Sequence, residues 1–329
     1  MQGKIPSSHQ FNTMNIVSKI RGGLNGGSGS SLQGVLLLLI AFFIFSVQDV
    51  IVKLMSSDYA VLEIVTIRSL FALPIVIMIL TRSGQTFSDL KTEVFGTQFV
   101  RGIAMFAAYL FFFLALAALP YSLMIGIFFS GPLFITALSV PMLGESVGWR
   151  RWLAVLIGFV GVLIVINPRE GSFDPTTLLA VAAALCYAIS IVLTRKISDS
   201  PQVIASWTTF VYIGCALILS PVFARLSWES GHPSVLFLTK AWTVPPLNDI
   251  LLIFFLALCW GGGMVLLSAA YRNTAVAILA PFEYFSIVYG ILFGFLIWRE
   301  VPTIQMLFGV AIIIGSGLFI IYRENQTET

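Results

Sequence analysis

From residue 32 onward the chain is a succession of apolar stretches about twenty residues long, each closed by turn-forming residues before the next begins. A helix rises ~1.5 Å per residue, so roughly twenty residues cross a ~30 Å hydrocarbon layer. Charge points the same way. Asp, Glu, Lys and Arg make up 10% of the residues, against about 25% in soluble domains, too few to clothe a surface facing water. The chain therefore reads as an all-α integral membrane protein whose outer surface meets lipid.

The hydropathy predicts ten spans, near 34–56, 61–81, 98–118, 122–143, 152–168, 176–195, 202–224, 249–271, 275–298 and 303–322. Ser56-Ser57-Asp58, Leu119-Pro120-Tyr121, Asn167-Pro168, Asp174-Pro175, Asp199-Ser200-Pro201 and Val301-Pro302 punctuate them. Only the connections 82–97 and 225–248 are long, which leaves no room for a soluble domain. Residues 1–31 are polar and include "GGLNGGSGSS", a flexible cytoplasmic tail, and 325–329 form a second tail. With ten spans both termini share one side, and that side carries twelve Lys and Arg against five opposite. Cytoplasmic loops hold such an excess, so both termini are placed in the cytoplasm. The sole N-x-[ST] sequon, at Asn325, falls on that cytoplasmic tail, and the default location is a bacterial inner (plasma) membrane.

The net charge of +3 is dispersed, without the clustered basic face that nucleic acid requires. Cys186, Cys215 and Cys259 lie inside apolar runs and read as buried free thiols. No metal and no cofactor is expected, and the assembly is a monomer or a homodimer.

Residues 147–170 lie ungapped on 301–324, pairing Val147 with Val301, Gly161 with Gly315 and Arg169-Glu170 with Arg323-Glu324. A one-residue slip also pairs Glu145 with Glu300. The matched pieces belong to the fourth-to-fifth and ninth-to-tenth spans, so the repeat unit is five helices. Five is odd, and two such units in one chain must run in opposite orientations. That is the inverted-repeat plan of secondary transporters, with substrate held near the midplane.

Several segments carry a family resemblance: "LPYSLMIGIFFSGPLFITALSVPMLGE", with Pro132 and Gly144-Glu145; "YRNTAVAILAPFEYFSIVYGILFGFLIWREVP", with Ala280-Pro281-Phe282-Glu283-Tyr284; and the polar set Asp49, Lys53 and Arg68. The chain resembles the drug/metabolite transporter superfamily in its EamA-type branch over about residues 32–324. The resemblance implies one EamA-like repeat over 32–168 and another over 174–324, and secondary transport of a small organic solute. Arg299 stands before Glu300 where that family usually has Gly.

A charge deep in a span costs roughly 2.5–3.5 kcal/mol on insertion scales, so each needs a partner or a wet cavity. Asp49 and Arg68 both lie about 10 Å below the outer surface at ~1.5 Å per residue, an ion-pair geometry between adjacent helices. One turn outward, Lys53 and Glu63 form a second candidate pair. These pairs read either as structural locks or as an outer gate that opens when substrate charge replaces a partner. Glu283 sits near mid-depth, with Arg101 the only basic residue near its level. Burial disfavours a charged carboxylate, which makes Glu283 a candidate proton coupler, or alternatively a neutral group bonded to carbonyls freed by Pro281. Arg101 is either a substrate anchor or a cation snorkelling to the interface.

Among the aromatic residues, Tyr109, Tyr187 and Tyr284 carry polar handles far from the helix ends and suit a planar substrate. Gly158 with Gly161, Gly290 with Gly294, and Gly261 to Gly263 read as close-packing positions. No G-x-x-x-x-G-K-[ST] phosphate loop appears. An intramembrane enzyme lacks the residues it needs, since His9 and His232 lie outside the spans and neither H-E-x-x-H nor G-x-S-x-G occurs. The reading is a secondary carrier, not an enzyme, for a planar or zwitterionic metabolite such as riboflavin, S-adenosylmethionine or an amino acid. Exporter and exchanger remain open as alternatives of the same fold.

Overall fold

The structure is a computed structural model and describes residues 28–144, 147–166, 174–225, 231–274, 279 and 282–325. Residues 1–27 of the expected tail, the C-terminal residues 326–329, Glu145, the turn at Asn167-Pro168, Arg169-Glu170, Ala280 and Pro281 lie outside the described residues. The described helices are α1 (Ser28–Met55), α2 (Val61–Arg82), α3 (Phe95–Ala118), α4 (Tyr121–Phe128), α5 (Gly131–Leu143), α6 (Trp149–Ile166), α7 (Thr176–Thr194), α8 (Pro201–Arg225), α9 (Pro233–Thr239), α10 (Leu247–Asn273), α11 (Phe285–Trp298) and α12 (Ile304–Asn325). Among the described residues no strand occurs.

Eight spans are long and apolar enough to cross a membrane, α4 and α5 counting together as one. The expected ninth and tenth spans correspond to shorter apolar helices, Phe285–Trp298 and Ile304–Ile320. The exposed surface is apolar in stripes at helical spacing. On α6, Leu156, Val160 and Leu163 point outward, while Val155, Gly158, Val162 and Val165 are buried. Such a surface is stable against lipid and not against water. The protein is a multi-pass, all-helical membrane protein.

Proline and glycine set the boundaries. α8 and α9 begin at Pro201 and Pro233, where a missing N–H costs nothing. The expected fourth span is broken into α4 and α5. Pro132 offers no N–H to the Phe128 carbonyl four residues earlier, and the Ser130 amide instead donates to Ile127 O at 2.9 Å. α5 then ends at Gly144 in the left-handed region, φ 73°. Arg299 ends α11 in the same conformation, φ 58°, so the turn that glycine usually makes is built here by an arginine.

Several helix contacts come in corresponding pairs along the chain. α3 packs on α7 as α10 packs on α1, and α3 on α8 as α10 on α2. α2 pairs with α8, and α6 with α12. The α6–α12 crossing is close enough that a Cβ on Gly161 would come within 2.9 Å of the Gly309 carbonyl, and one on Gly309 within 2.8 Å of the Gly161 carbonyl.

The α1–α2 turn, the start of α4, α9 and the α11–α12 turn all lie at one end of the bundle, termed the distal end. Part of the long connection 225–248, α9, lies there. Phe237 of α9 is buried, and Ser234 Oγ donates to Leu114 O at 2.6 Å.

Candidate functional site

Arg68 enters the bundle from α2 and is 3% exposed. Its guanidinium lies over the Tyr109 ring of α3, with Cζ 4.4 Å from the centroid. Asp49 on α1 is within electrostatic reach, and its polar neighbours include the Tyr121 hydroxyl and Gln48. The expected Asp49–Arg68 pair is therefore drawn together without closing: among the described residues no direct salt bridge joins them, because the aromatic face of Tyr109 takes the guanidinium. The Arg68 Nη1 and Tyr109 hydroxyl atoms are buried without a hydrogen-bond partner among the described residues. Beside them is a narrow cleft, with room for about one water, lined by Arg68, Ser69, Thr208, Thr209, Tyr212 and Trp260.

The second expected pair is corrected. Lys53 does not meet Glu63. Its Nζ lies 3.5 Å from Glu300 Oε1, donates to Leu119 O at 2.6 Å, and sits 4.7 Å from the Trp298 ring centroid. Glu300 Oε2 also accepts the Tyr121 amide at 2.7 Å and the Ser122 amide at 3.4 Å, closing the N-terminus of α4. Glu63 accepts the Thr243 amide at 3.1 Å. Equal depth on neighbouring helices fixes height but not direction, and Lys53 faces the α11–α12 turn. Further contacts across the distal end join Tyr59 to Asp249 and Lys240 to Ser57 O.

Glu283 and Tyr284 lie immediately before α11. Glu283 is half-buried and engaged with its surroundings, within electrostatic reach of Tyr187 and of Tyr284. Tyr284 is buried, packs on Phe129 at 5.5 Å, and directs its hydroxyl at the backbone of Gly317 on α12. Tyr187 packs on Phe128 at 5.4 Å.

An aromatic chain connects the two clusters. Tyr109 meets Phe113 at 4.5 Å, Phe113 meets Phe112 at 5.0 Å, Phe112 meets Phe128 at 5.0 Å, and Phe128 meets Tyr187. The interrupted α4–α5 span thus lies on the aromatic path between Arg68, from the N-terminal part of the chain, and Glu283, from the C-terminal part. At the interruption, Ser130 Oγ is buried without a partner among the described residues.

Arg101 belongs to neither cluster. It is buried against α8, with Nη2 donating to Thr208 Oγ1 at 2.6 Å and Ile204 O at 3.1 Å, and Nε donating to Gln98 Oε1 at 3.2 Å. Gln98 in turn donates to Asp199 at 2.8 Å. These bonds tie α3 to α8 at the end opposite the distal one, a fixed cross-brace rather than a snorkelling cation.

Sequence reasoning missed Glu300 as a partner of Lys53, and missed Tyr121, Tyr212 and Gln48. The pairing of Glu300 with Glu145 in the repeat was the available signal for the first. Tyr121 follows a proline at a helix end and resembles an interface anchor.

The EamA-like transporter family description matches residues 32–167 and 175–322. Among curated proteins the chain is similar to an S-adenosylmethionine uptake transporter of Rickettsia bellii, 27% identical over 293 residues, covering 89% of this chain and 94% of the relative. It is also similar to a riboflavin transporter of Vibrio cholerae, 27% identical over 307 residues, covering 90% and 95%. A solved crystal structure superposes with a TM-score of 0.53 at 17% identity, covering 92% of this chain and all of the other, a likeness of fold alone.

Proposed function

The chain belongs to the EamA-like transporter family, and from that premise we propose that it is a secondary carrier taking up a planar or zwitterionic metabolite by alternating access. The observation that carries this reading is the pairing of a buried basic site at Arg68 with an acidic one at Glu283, from the N- and C-terminal parts of the chain and linked through an interrupted span. Interrupted helices near mid-depth are where carriers of this plan hold substrate. Asp49, Arg68, Tyr109, Tyr187, Glu283 and Tyr284 make up the central site, and Glu283 exchanges the coupling proton.

Ten spans arranged as two inverted five-helix repeats, over 32–168 and 174–324, complete the reading. The corresponding pairs of helix contacts and the two matched segments support it. The excess of Lys and Arg supports cytoplasmic termini in an inner membrane. The Lys53–Glu300 contact and its neighbours act as the distal gate, holding the halves together on the side opposite the termini. The names of the Rickettsia and Vibrio relatives make S-adenosylmethionine and riboflavin the first substrates to test.

The test is uptake of radiolabelled S-adenosylmethionine and of riboflavin into proteoliposomes of the purified protein without ATP. Saturable uptake of one of them, absent from empty liposomes, supports the reading. Flux that rises linearly with concentration overturns it.

A further inference from the structure

We infer that the break between α4 and α5 is a sodium site, formed by Ser130 Oγ and the main-chain oxygens of Phe128 and Phe129. The inference goes beyond the carrier reading, because a resident cation binds whether or not a solute is moved. Ser130 lies near the middle of the span Tyr121–Leu143 and is fully buried, and its hydroxyl has no partner among the described residues. Other hydroxyls in the spans close on the carbonyl four residues back: Thr66 on Leu62 O, Thr136 on Pro132 O, Thr194 on Ser190 O and Ser206 on Gln202 O. Ser130 makes no such bond.

The break also leaves main-chain acceptors unserved. The Phe129 amide donates to Ile125 O and the Ser130 amide to Ile127 O. Pro132 has no N–H to give Phe128 O. The Leu133 amide, which an unbroken helix gives to Phe129 O, donates instead to Ser130 O at 3.0 Å, and the Phe134 amide donates to the same oxygen at 3.3 Å. Among the described residues no backbone amide therefore reaches Phe128 O or Phe129 O. Unmet carbonyls at membrane depth are costly, so something other than the helix must satisfy them.

Acceptors in excess of donors call for a cation. Bare carbonyls at the C-terminal end of a half-helix are the oxygens with which broken membrane helices hold Na+, and the negative end of the α4 dipole lies at the same place. Three neutral oxygens suit a monovalent ion, since divalent Ca2+ sites are built on Asp and Glu carboxylates. The surroundings add negative field. Tyr187 flanks the break at Gly131, where a Cβ would lie 3.5 Å from its Cδ1, and Tyr284 flanks it at Phe129, ring to ring at 5.5 Å. Both tyrosines are within electrostatic reach of Glu283. The register that pairs Glu145 with Glu300 also sets Phe129 on Tyr284. The site thus lies where corresponding segments of the chain touch, and a shift of one against the other changes how the oxygens are held.

The experiment is thermal unfolding of the purified wild-type protein in detergent, without solute, titrated with NaCl at an ionic strength held constant by choline chloride. KCl and methylammonium chloride are the parallel series. NaCl is expected to raise the unfolding midpoint saturably by roughly 2–5 °C, and KCl and methylammonium by less than roughly half of that. Ser130→Ala removes a hydroxyl that bonds to nothing in the protein, so it is expected to fold as the wild type does and to weaken the apparent Na+ affinity roughly 10- to 100-fold. The wild-type salt series decides the matter even where the variant does not fold. No shift with Na+, equal shifts with the three salts, or a Na+ response unchanged in Ser130→Ala overturns the assignment. A larger shift with methylammonium overturns it as well, by making the break a seat for an amine. Proteoliposome uptake keeps the two claims apart. Saturable uptake without Na+-selective stabilisation leaves the carrier standing and removes the site. Na+-selective stabilisation with only linear flux keeps the site and removes the carrier.

Discussion

Arg68 and Tyr109 face each other at mid-bundle, the guanidinium carbon 4.4 Å from the ring centroid and the phenol oxygen buried without a partner among the described residues. The ring, not the hydroxyl, holds the arginine. Tyr109→Phe is therefore expected to leave stability within about 0.5 kcal/mol of wild type, because it removes an unsatisfied polar atom. Tyr109→Leu loses the cation–π contact and costs about 1–2 kcal/mol. Thermal unfolding in detergent distinguishes them, and equal losses from the two variants contradict this role for the ring.

At the distal end, Glu300 gathers Lys53 and the first two amides of α4. Glu300→Ala leaves the two amides without their acceptor and Lys53 without its counter-ion, and is expected to cost about 1–3 kcal/mol. Lys53→Met combined with it should cost less than the sum of the singles by about 0.5 kcal/mol or more, the signature of residues sharing an interaction. A double-mutant cycle on apparent stability measures this. Strict additivity would show that the two act separately and would remove the gate from the account.

The hydropathy made the helices legible, since a membrane helix must be apolar along about twenty residues whatever it packs against. The break before Pro132 was not read, although a proline inside an apolar run is a local signal for one. What the sequence did not show was direction around each helix. Lys53 and Glu63 share a depth, yet one turns to the α11–α12 connection and the other to Thr243. Partners such as Glu300, 247 residues away from Lys53 along the chain, depend on how the halves meet. Arg299 shows the converse: a departure visible in sequence proved to preserve the left-handed turn.

Tyr284 of the acidic cluster packs its hydroxyl against Gly317 of α12. A Cβ at Gly317 overlaps the Tyr284 hydroxyl. Gly317→Ala is expected to destabilise the protein by about 1–3 kcal/mol through overpacking. Adding Tyr284→Phe removes the overlapping oxygen and should recover part of the loss in the same thermal assay. A double variant no better than Gly317→Ala contradicts the contact.

Glu283, beside Tyr187 and Tyr284, carries the coupling proton in the proposed cycle. Glu283→Gln mimics the protonated form permanently. Under an imposed pH gradient the wild type should accumulate substrate above equilibrium, whereas Glu283→Gln should only equilibrate it. Undiminished accumulation by the variant assigns Glu283 to packing.

Counterflow tests alternating access itself. Proteoliposomes loaded with unlabelled substrate, S-adenosylmethionine or riboflavin according to which is transported, are diluted into a trace of the labelled compound. A carrier whose site faces one side at a time predicts a transient accumulation of label above its equilibrium level, driven by the outward substrate gradient alone. Label that rises to equilibrium without overshoot, at the same rate in loaded and empty vesicles, contradicts it.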